Sequence, residues 1–135
     1  MEQRSARRVA VLGAGGWGTA LAVHLARAGH DARLWARDAA LVADMRARRA
    51  NAVYLPDIRF PDRLGVGGDL EEALHEADFV VSAVPSHGTR DILRRAADHI
   101  RAGTTIVSAT KGLGRDSLFR VSEVMAQEQG WRVDV

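Results

Sequence analysis

The chain has 135 residues, 47% hydrophobic and 27% charged, enough for about one globular domain and far from a disordered composition. With 19 basic against 17 acidic residues the formal charge is only +2, which argues against a polybasic surface for nucleic acid. No cysteine is present, which excludes disulfides, thiolate zinc sites and CxxC redox chemistry and is compatible with a reducing cytoplasm.

Val9–Leu12 is a short apolar run ending at a glycine, the pattern of a parallel strand buried on both faces. Gly18, Leu21, Ala22 and Leu25 follow at helical spacing and predict one apolar helix face, with Gly29 placed to end that helix. Ala32–Trp35 reads as a second strand, and Asp38 can cap a helix whose apolar face is Leu41, Val42 and Met45. The stretch from Asn51 to Asp62, with Pro56 and Pro61, is too broken for helix and is expected to be irregular.

A weak strand is expected near Leu64–Val66. Asp69, with Glu72 three residues on, makes a capping-box-like start for a helix using Leu70, Ala73, Leu74 and Ala77. Phe79–Val84 predicts a buried strand stopped by Pro85, and Ile92, Leu93, Ala96, Ala97 and Ile100 an amphipathic helix. Thr104–Ala109 reads as strand, Ser117 can cap a last helix with Leu118, Val121 and Met125, and Trp131–Val135 begins a further strand. Alternating βα units with short connections imply an α/β fold with a doubly wound parallel sheet, because right-handed crossovers place helices on both faces.

Two features invite other interpretations. The basic start followed by uncharged Val9–Val23 resembles a signal peptide, but four glycines each cost about 0.8–1 kcal/mol in a helix, and the run falls short of the roughly 20 residues that span a bilayer. No leader and no integral membrane segment are expected. The basic clusters Arg7–Arg8, Arg46–Arg49 and Arg94–Arg95 are interleaved with acids and scattered over several elements, so they are read as solvated faces.

Gly13-Ala14-Gly15-Gly16-Trp17-Gly18 is a GxGxxG string. Such a string carries little weight alone, but this one follows a strand, opens a helix and sits inside a βαβ unit. Gly13 permits the tight turn, Gly15 admits a pyrophosphate close to the backbone, and Gly18 lets the helix pack on the sheet. Helix-start amides and the dipole's positive end attract the phosphates. This is a Rossmann-type cradle for a dinucleotide. Trp17 suits either the core or contact with the ligand.

Arg37 follows the second strand, where a guanidinium can grip the 2′-phosphate of NADPH. Asp38 is accounted for as a helix cap, so NADPH is favoured and NADH stays open. Lys111 is the only lysine among the 19 basic residues. It comes just past a strand, at the edge where such sheets hold ligands, and its compact ammonium is not interchangeable with guanidinium. The five histidines show no metal-ligand spacing, and His87 alone stands near the crevice.

GAGGWGTALA (13–22), LWARD (34–38), NAVYLPDIRFP (51–61), VPSHG (84–88) and SATKGL (108–113) together resemble bacterial NAD(P)-dependent glycerol-3-phosphate dehydrogenase. The N-x-x-Y-L-P and A-T-K-G-L strings set this resemblance apart from dehydrogenases sharing only the glycine fingerprint. It implies interconversion of sn-glycerol 3-phosphate and dihydroxyacetone phosphate, feeding phospholipid synthesis in the cytoplasm. It adds Gly16, Trp17, Arg37 and Tyr54 as cofactor contacts, with Pro85 beside them, and makes Lys111 a contact to both cofactor and substrate.

In that family a mostly helical carboxyl-terminal domain supplies the proton-transferring lysine and most of the substrate-phosphate site. Nothing here matches it. Residues 1–135 therefore read as a dinucleotide-binding domain from a longer protein, with no catalytic acid or base of its own and a homodimer through the missing domain as one arrangement. The partner is a small molecule, and no nucleic acid is expected. A ketopantoate- or hydroxyacid-type reductase and a stand-alone nucleotide sensor are the alternative readings.

Overall fold

A computed structural model describes residues 6–84, 86–108 and 132–134, without the side chains of 86–90, 108 and 132–134. Strands β1 (Arg8–Leu12), β2 (Asp31–Trp35), β5 (Gly65–Gly67), β6 (Phe79–Ser82), β7 (Thr105–Ser108) and β8 (Arg132–Asp134) form one sheet in the order β5-β2-β1-β6-β7-β8. Every ladder in it is parallel. Helices α1 (Gly16–Arg27) and α2 (Ala39–Arg48) lie on one face, with Val9, Val11 and Leu34 beneath them. Helices α3 (Leu70–Leu74) and α4 (Ser86–Ala96) lie on the other, over Ala10, Leu12, Val80 and Ile106. This is the expected doubly wound fold. Helices lie on both faces of the sheet, and β1 and β6 are the nearly continuous apolar runs such an arrangement needs.

The helix ends follow their local chemistry. Asp38 Oδ1 accepts from the amides of Ala40 and Leu41, and Asp69 Oδ1 from that of Glu71, so both expected caps form. Gly29, at φ +100°, takes the left-handed position just past α1. Residues Ala97–His99 close α4 with a 3-10 turn.

Three expectations change. First, α1 buries Gly18, Thr19, Ala22, Val23 and Ala26, while Leu25 is only partly covered. Gly18 and Ala22 of the predicted face are buried as expected, but Thr19, Val23 and Ala26 complete the contact while Leu21 and Leu25 are half-buried at its flank. Second, the irregular stretch contains an antiparallel pair, β3 (Ala50–Asn51) with β4 (Leu55–Arg59). A two-stranded ribbon has free edges, so Pro56 need not break a ladder bond there. Third, two arginines of the 46–49 cluster do more than face solvent. Arg46 Nε donates to the Val66 carbonyl, and Arg49 Nη2 to those of Pro61 and Leu64.

The weak strand near 64–66 is β5, displaced by one residue, and the strand expected to reach Val84 ends at Ser82. The helix expected from Ser117 lies outside the described residues. At the sheet's amino-terminal edge Arg8 pairs with Asp31 at 2.9 Å and Glu76 at 3.0 Å. The hydrogen bond that Arg8 Nε donates to Asp31 Oδ2 is the leading cause that raises the guanidinium's already high pKa.

Candidate functional site: a dinucleotide cradle at the switch point

The chain leaves β1 towards β2 and leaves β6 towards β7, so the carboxyl ends of these neighbouring strands open a crevice between diverging connections. Gly13 stands at its mouth with φ +112°, and its amide donates to the Trp35 carbonyl at 2.9 Å. A Cβ on Gly13 would lie 3.0 Å from the backbone of Ala83 and Val84. The loops after β1 and β6 therefore meet at Gly13, and no larger residue fits between them. A Cβ on Gly18 would overlap the Gly13 carbonyl oxygen and lie 3.1 Å from Ala83 Cβ, so the helix starts hard against its own loop.

Gly15 is different. It caps α1 in extended backbone at φ −72°, and a Cβ there would meet nothing within 4 Å. No side chain caps α1, and no acid stands in its first turn. An unobstructed backbone at an uncapped helix start favours an anion through amide donors and the dipole together. The residues present fit a diphosphate.

The β3–β4 hairpin closes over this turn. A Cβ on Gly16 would approach the Tyr54 carbonyl oxygen to 3.1 Å. Asn51, fully buried, ties the two pieces together: its Nδ2 donates to the Ala14 carbonyl and to Thr19 Oγ1, each at 2.9 Å, and its Oδ1 accepts from the Tyr54 amide at 3.1 Å. Three partners fix the amide's orientation, since only the nitrogen can donate and only the oxygen can accept. The sequence reading passed over Asn51 as a site residue. Its one local signal was the spacing to Tyr54, which lets an Asn side chain bond the backbone just beyond it. Tyr54 is 54% exposed and Trp17 47% exposed. Trp17 is therefore not a core residue, and the two aromatics belong to the glycine turn and to the hairpin that packs on it.

Arg37 leaves the carboxyl end of β2 with 68% of its side chain exposed, its Nη2 3.7 Å from Asp91 Oδ2 on α4. Asp38 beside it is engaged as the α2 cap. Pro85 and Lys111 lie outside the described residues, as does the side chain of His87. His30 Nδ1 accepts from the Arg7 amide, and His75 neighbours Glu76. Among the described residues no cluster of His, Asp or Glu could hold a metal ion, and no helix is long and apolar enough to cross a membrane. A groove of about 620 Å³, lined by Val9, Leu25, Phe79, Val81 and Val107 with Arg7 and His30, lies towards the strands' amino ends, away from the cradle.

Comparison with known proteins agrees with this geometry. Residues 8–134 match the family described as NAD-dependent glycerol-3-phosphate dehydrogenase N-terminus. The chain is 45% identical over 122 residues to glycerol-3-phosphate dehydrogenase [NAD(P)+] 2 of Salinibacter ruber, covering 90% of this chain and 36% of that protein. It is 46% identical over 122 residues to the Thioalkalivibrio sulfidiphilus enzyme, covering 90% and 37%. The crystal structure of glycerol-3-phosphate dehydrogenase from Coxiella burnetii superposes with a TM-score of 0.84 at 39% identity, covering 95% of this chain and 39% of that one. The chain thus spans little more than a third of these relatives' lengths. With the family match running over residues 8–134, the chain belongs to the NAD-dependent glycerol-3-phosphate dehydrogenase family and corresponds to that family's amino-terminal part.

Proposed function

We propose that residues 1–135 form the NADPH-binding part of an enzyme that interconverts sn-glycerol 3-phosphate and dihydroxyacetone phosphate. The observation that carries this is the open backbone at Gly15 above an uncapped helix start, set where the loops after β1 and β6 touch. Gly13, Gly15, Gly16 and Gly18 shape the diphosphate seat, and Trp17, Tyr54 and Pro85 border the dinucleotide. Arg37 takes the 2′-phosphate, which favours NADPH, while NADH remains a usable second coenzyme.

When bound, the nicotinamide supplies the hydride that reduces the C2 carbonyl of the three-carbon phosphate, and the reverse reaction returns it. Lys111 holds substrate and nicotinamide end together, because a reacting pair has to be kept roughly 3–3.5 Å apart. The group that moves the proton belongs to a second, helical domain, through which the protein also pairs with a second copy. Family membership favours this reading over a ketopantoate- or hydroxyacid-type reductase. Its role in supplying a phospholipid precursor places it in the cytoplasm.

Calorimetry tests the binding claim directly. NADPH should bind residues 1–135, with turnover of dihydroxyacetone phosphate slight or nil until the second domain is present. No heat with either nicotinamide coenzyme would end the binding claim, and robust turnover by residues 1–135 alone would end the two-domain assignment.

A further inference from the structure

We infer that Asp91 sets how strongly the protein distinguishes NADPH from NADH, by competing with the 2′-phosphate for Arg37; the inference rests on the proposed role of Arg37. The two side chains meet between the end of β2 and α4, with Nη2 and Oδ2 at 3.7 Å and side-chain exposures of 68% and 58%. That separation is an ion pair beyond hydrogen-bond length, so neither group is locked to the other. The guanidinium is held by charge alone and can turn to a better acceptor.

The arrangement acts unequally on the two coenzymes. A 2′-phosphate is an anion that must draw Arg37 from Asp91 before the guanidinium can hold it. The 2′-hydroxyl of NADH carries no charge and draws on Arg37 far less, so the carboxylate hardly competes with it. Asp38, the other acid nearby, has its Oδ1 turned to the amides of Ala40 and Leu41. Among the described residues Asp91 is thus the carboxylate paired with Arg37. Because both groups are exposed, their interaction is modest and screened by salt. Its effect is a graded bias that leaves both coenzymes usable.

The test measures NADPH and NADH affinities of the full-length protein, as wild type, Asp91→Asn, Arg37→Ala and the double variant. Asp91→Asn should tighten NADPH about two- to fivefold and leave NADH within about 1.5-fold, a range set by exposed charge pairs. The gain should shrink as salt rises from about 0.05 to about 0.5 M, which shortens the screening length severalfold. It should vanish on the Arg37→Ala background, since the carboxylate acts through that guanidinium.

If Arg37→Ala weakens NADPH selectively but Asp91→Asn leaves the NADPH:NADH ratio unchanged, the inference about Asp91 fails and the assignment of Arg37 stands. If Arg37→Ala weakens both coenzymes equally, the assignment of Arg37 fails and takes the inference with it. An Asp91→Asn gain that persists without Arg37 would also overturn the competition.

Discussion

The side-chain amide of Asn51 donates to the hydroxyl of Thr19 at 2.9 Å, with both residues fully buried. Asn51 comes from the hairpin and Thr19 from the first turn of α1, so one bond joins the piece carrying Tyr54 to the piece carrying Trp17. Replacing Asn51 with Leu strands the Ala14 carbonyl and the Thr19 hydroxyl and takes the acceptor from the Tyr54 amide. An unpartnered buried polar group costs about 1–3 kcal/mol. Asn51→Leu should therefore destabilise by about 2–4 kcal/mol and weaken coenzyme binding. Thr19→Val keeps shape and removes one acceptor, at about 1–2 kcal/mol. The two changes share a bond, so together they should cost less than their sum in a denaturant-unfolding cycle. Strict additivity would show that the bond does not couple hairpin and helix.

Glycines of the same turn should separate folding from binding. Gly18→Ala puts a methyl group into the Gly13 carbonyl oxygen, backbone that cannot move aside, so unfolding at ambient temperature or a loss above about 3 kcal/mol is expected. Gly15→Ala meets nothing within 4 Å and sits at an ordinary negative φ. Its stability should stay within about 1 kcal/mol of wild type, since alanine is a poorer helix cap than glycine by less than that. Its new methyl group projects where the diphosphate would approach, so NADPH and NADH binding should both fall steeply. A well-folded Gly15→Ala protein that binds as wild type would remove the diphosphate from this position.

Asp38 tests a different boundary. Its carboxylate accepts from Ala40 and Leu41 as the cap of α2, and removing such a cap costs about 0.5–2 kcal/mol. Asp38→Ala should lower the unfolding free energy by that amount while leaving the NADPH:NADH ratio as it was. A selective loss of NADH would mean that the carboxylate reads the ribose hydroxyls and caps the helix only secondarily.

What could be read from the sequence is what neighbouring residues decide among themselves. The β1 strand, its glycine turn and the start of α1 are local, so periodicity and glycine spacing located them within a residue. The buried face of α1 is not local. The predicted set 18, 21, 22, 25 and the buried set 18, 19, 22, 23, 26 share Gly18 and Ala22, and only contact with the sheet puts Thr19, Val23 and Ala26 inside in place of Leu21 and Leu25. The hairpin stayed hidden because Asn51 holds it from across the fold, bonding a carbonyl 37 residues away, and because the prolines, which exclude helix, give no positive sign of strand pairing. The Arg37–Asp91 pair left no sequence signal at all. It exists because α4 starts from the carboxyl end of β6, two strands from β2 in the sheet, and brings Asp91 within 3.7 Å of Arg37.

The last prediction concerns two buried polar atoms. Trp35 Nε1 and Ser82 Oγ are shielded from solvent and have no hydrogen-bond partner among the described residues. Both residues stand beside Leu12 in the ladder register, at the carboxyl ends of β2 and β6. Ser82 shares its face with Val80, two residues back, on the side packed by α3 and α4. A buried hydroxyl without a partner costs about 1–3 kcal/mol by mutational measures. Removing it should thus relieve a penalty and leave a void smaller than a methyl group. Ser82→Ala is expected to raise stability by up to about 1 kcal/mol, below the full penalty because packing contacts of the oxygen are lost with it. Trp35→Phe removes the second orphan donor but also much of a ring in contact with the core, so it should lose about 1–2 kcal/mol on balance. The order of these two effects is the discriminating readout in thermal unfolding. If Ser82→Ala destabilises as much as Trp35→Phe, the hydroxyl has a partner, and the crevice end of β6 is built on a polar contact.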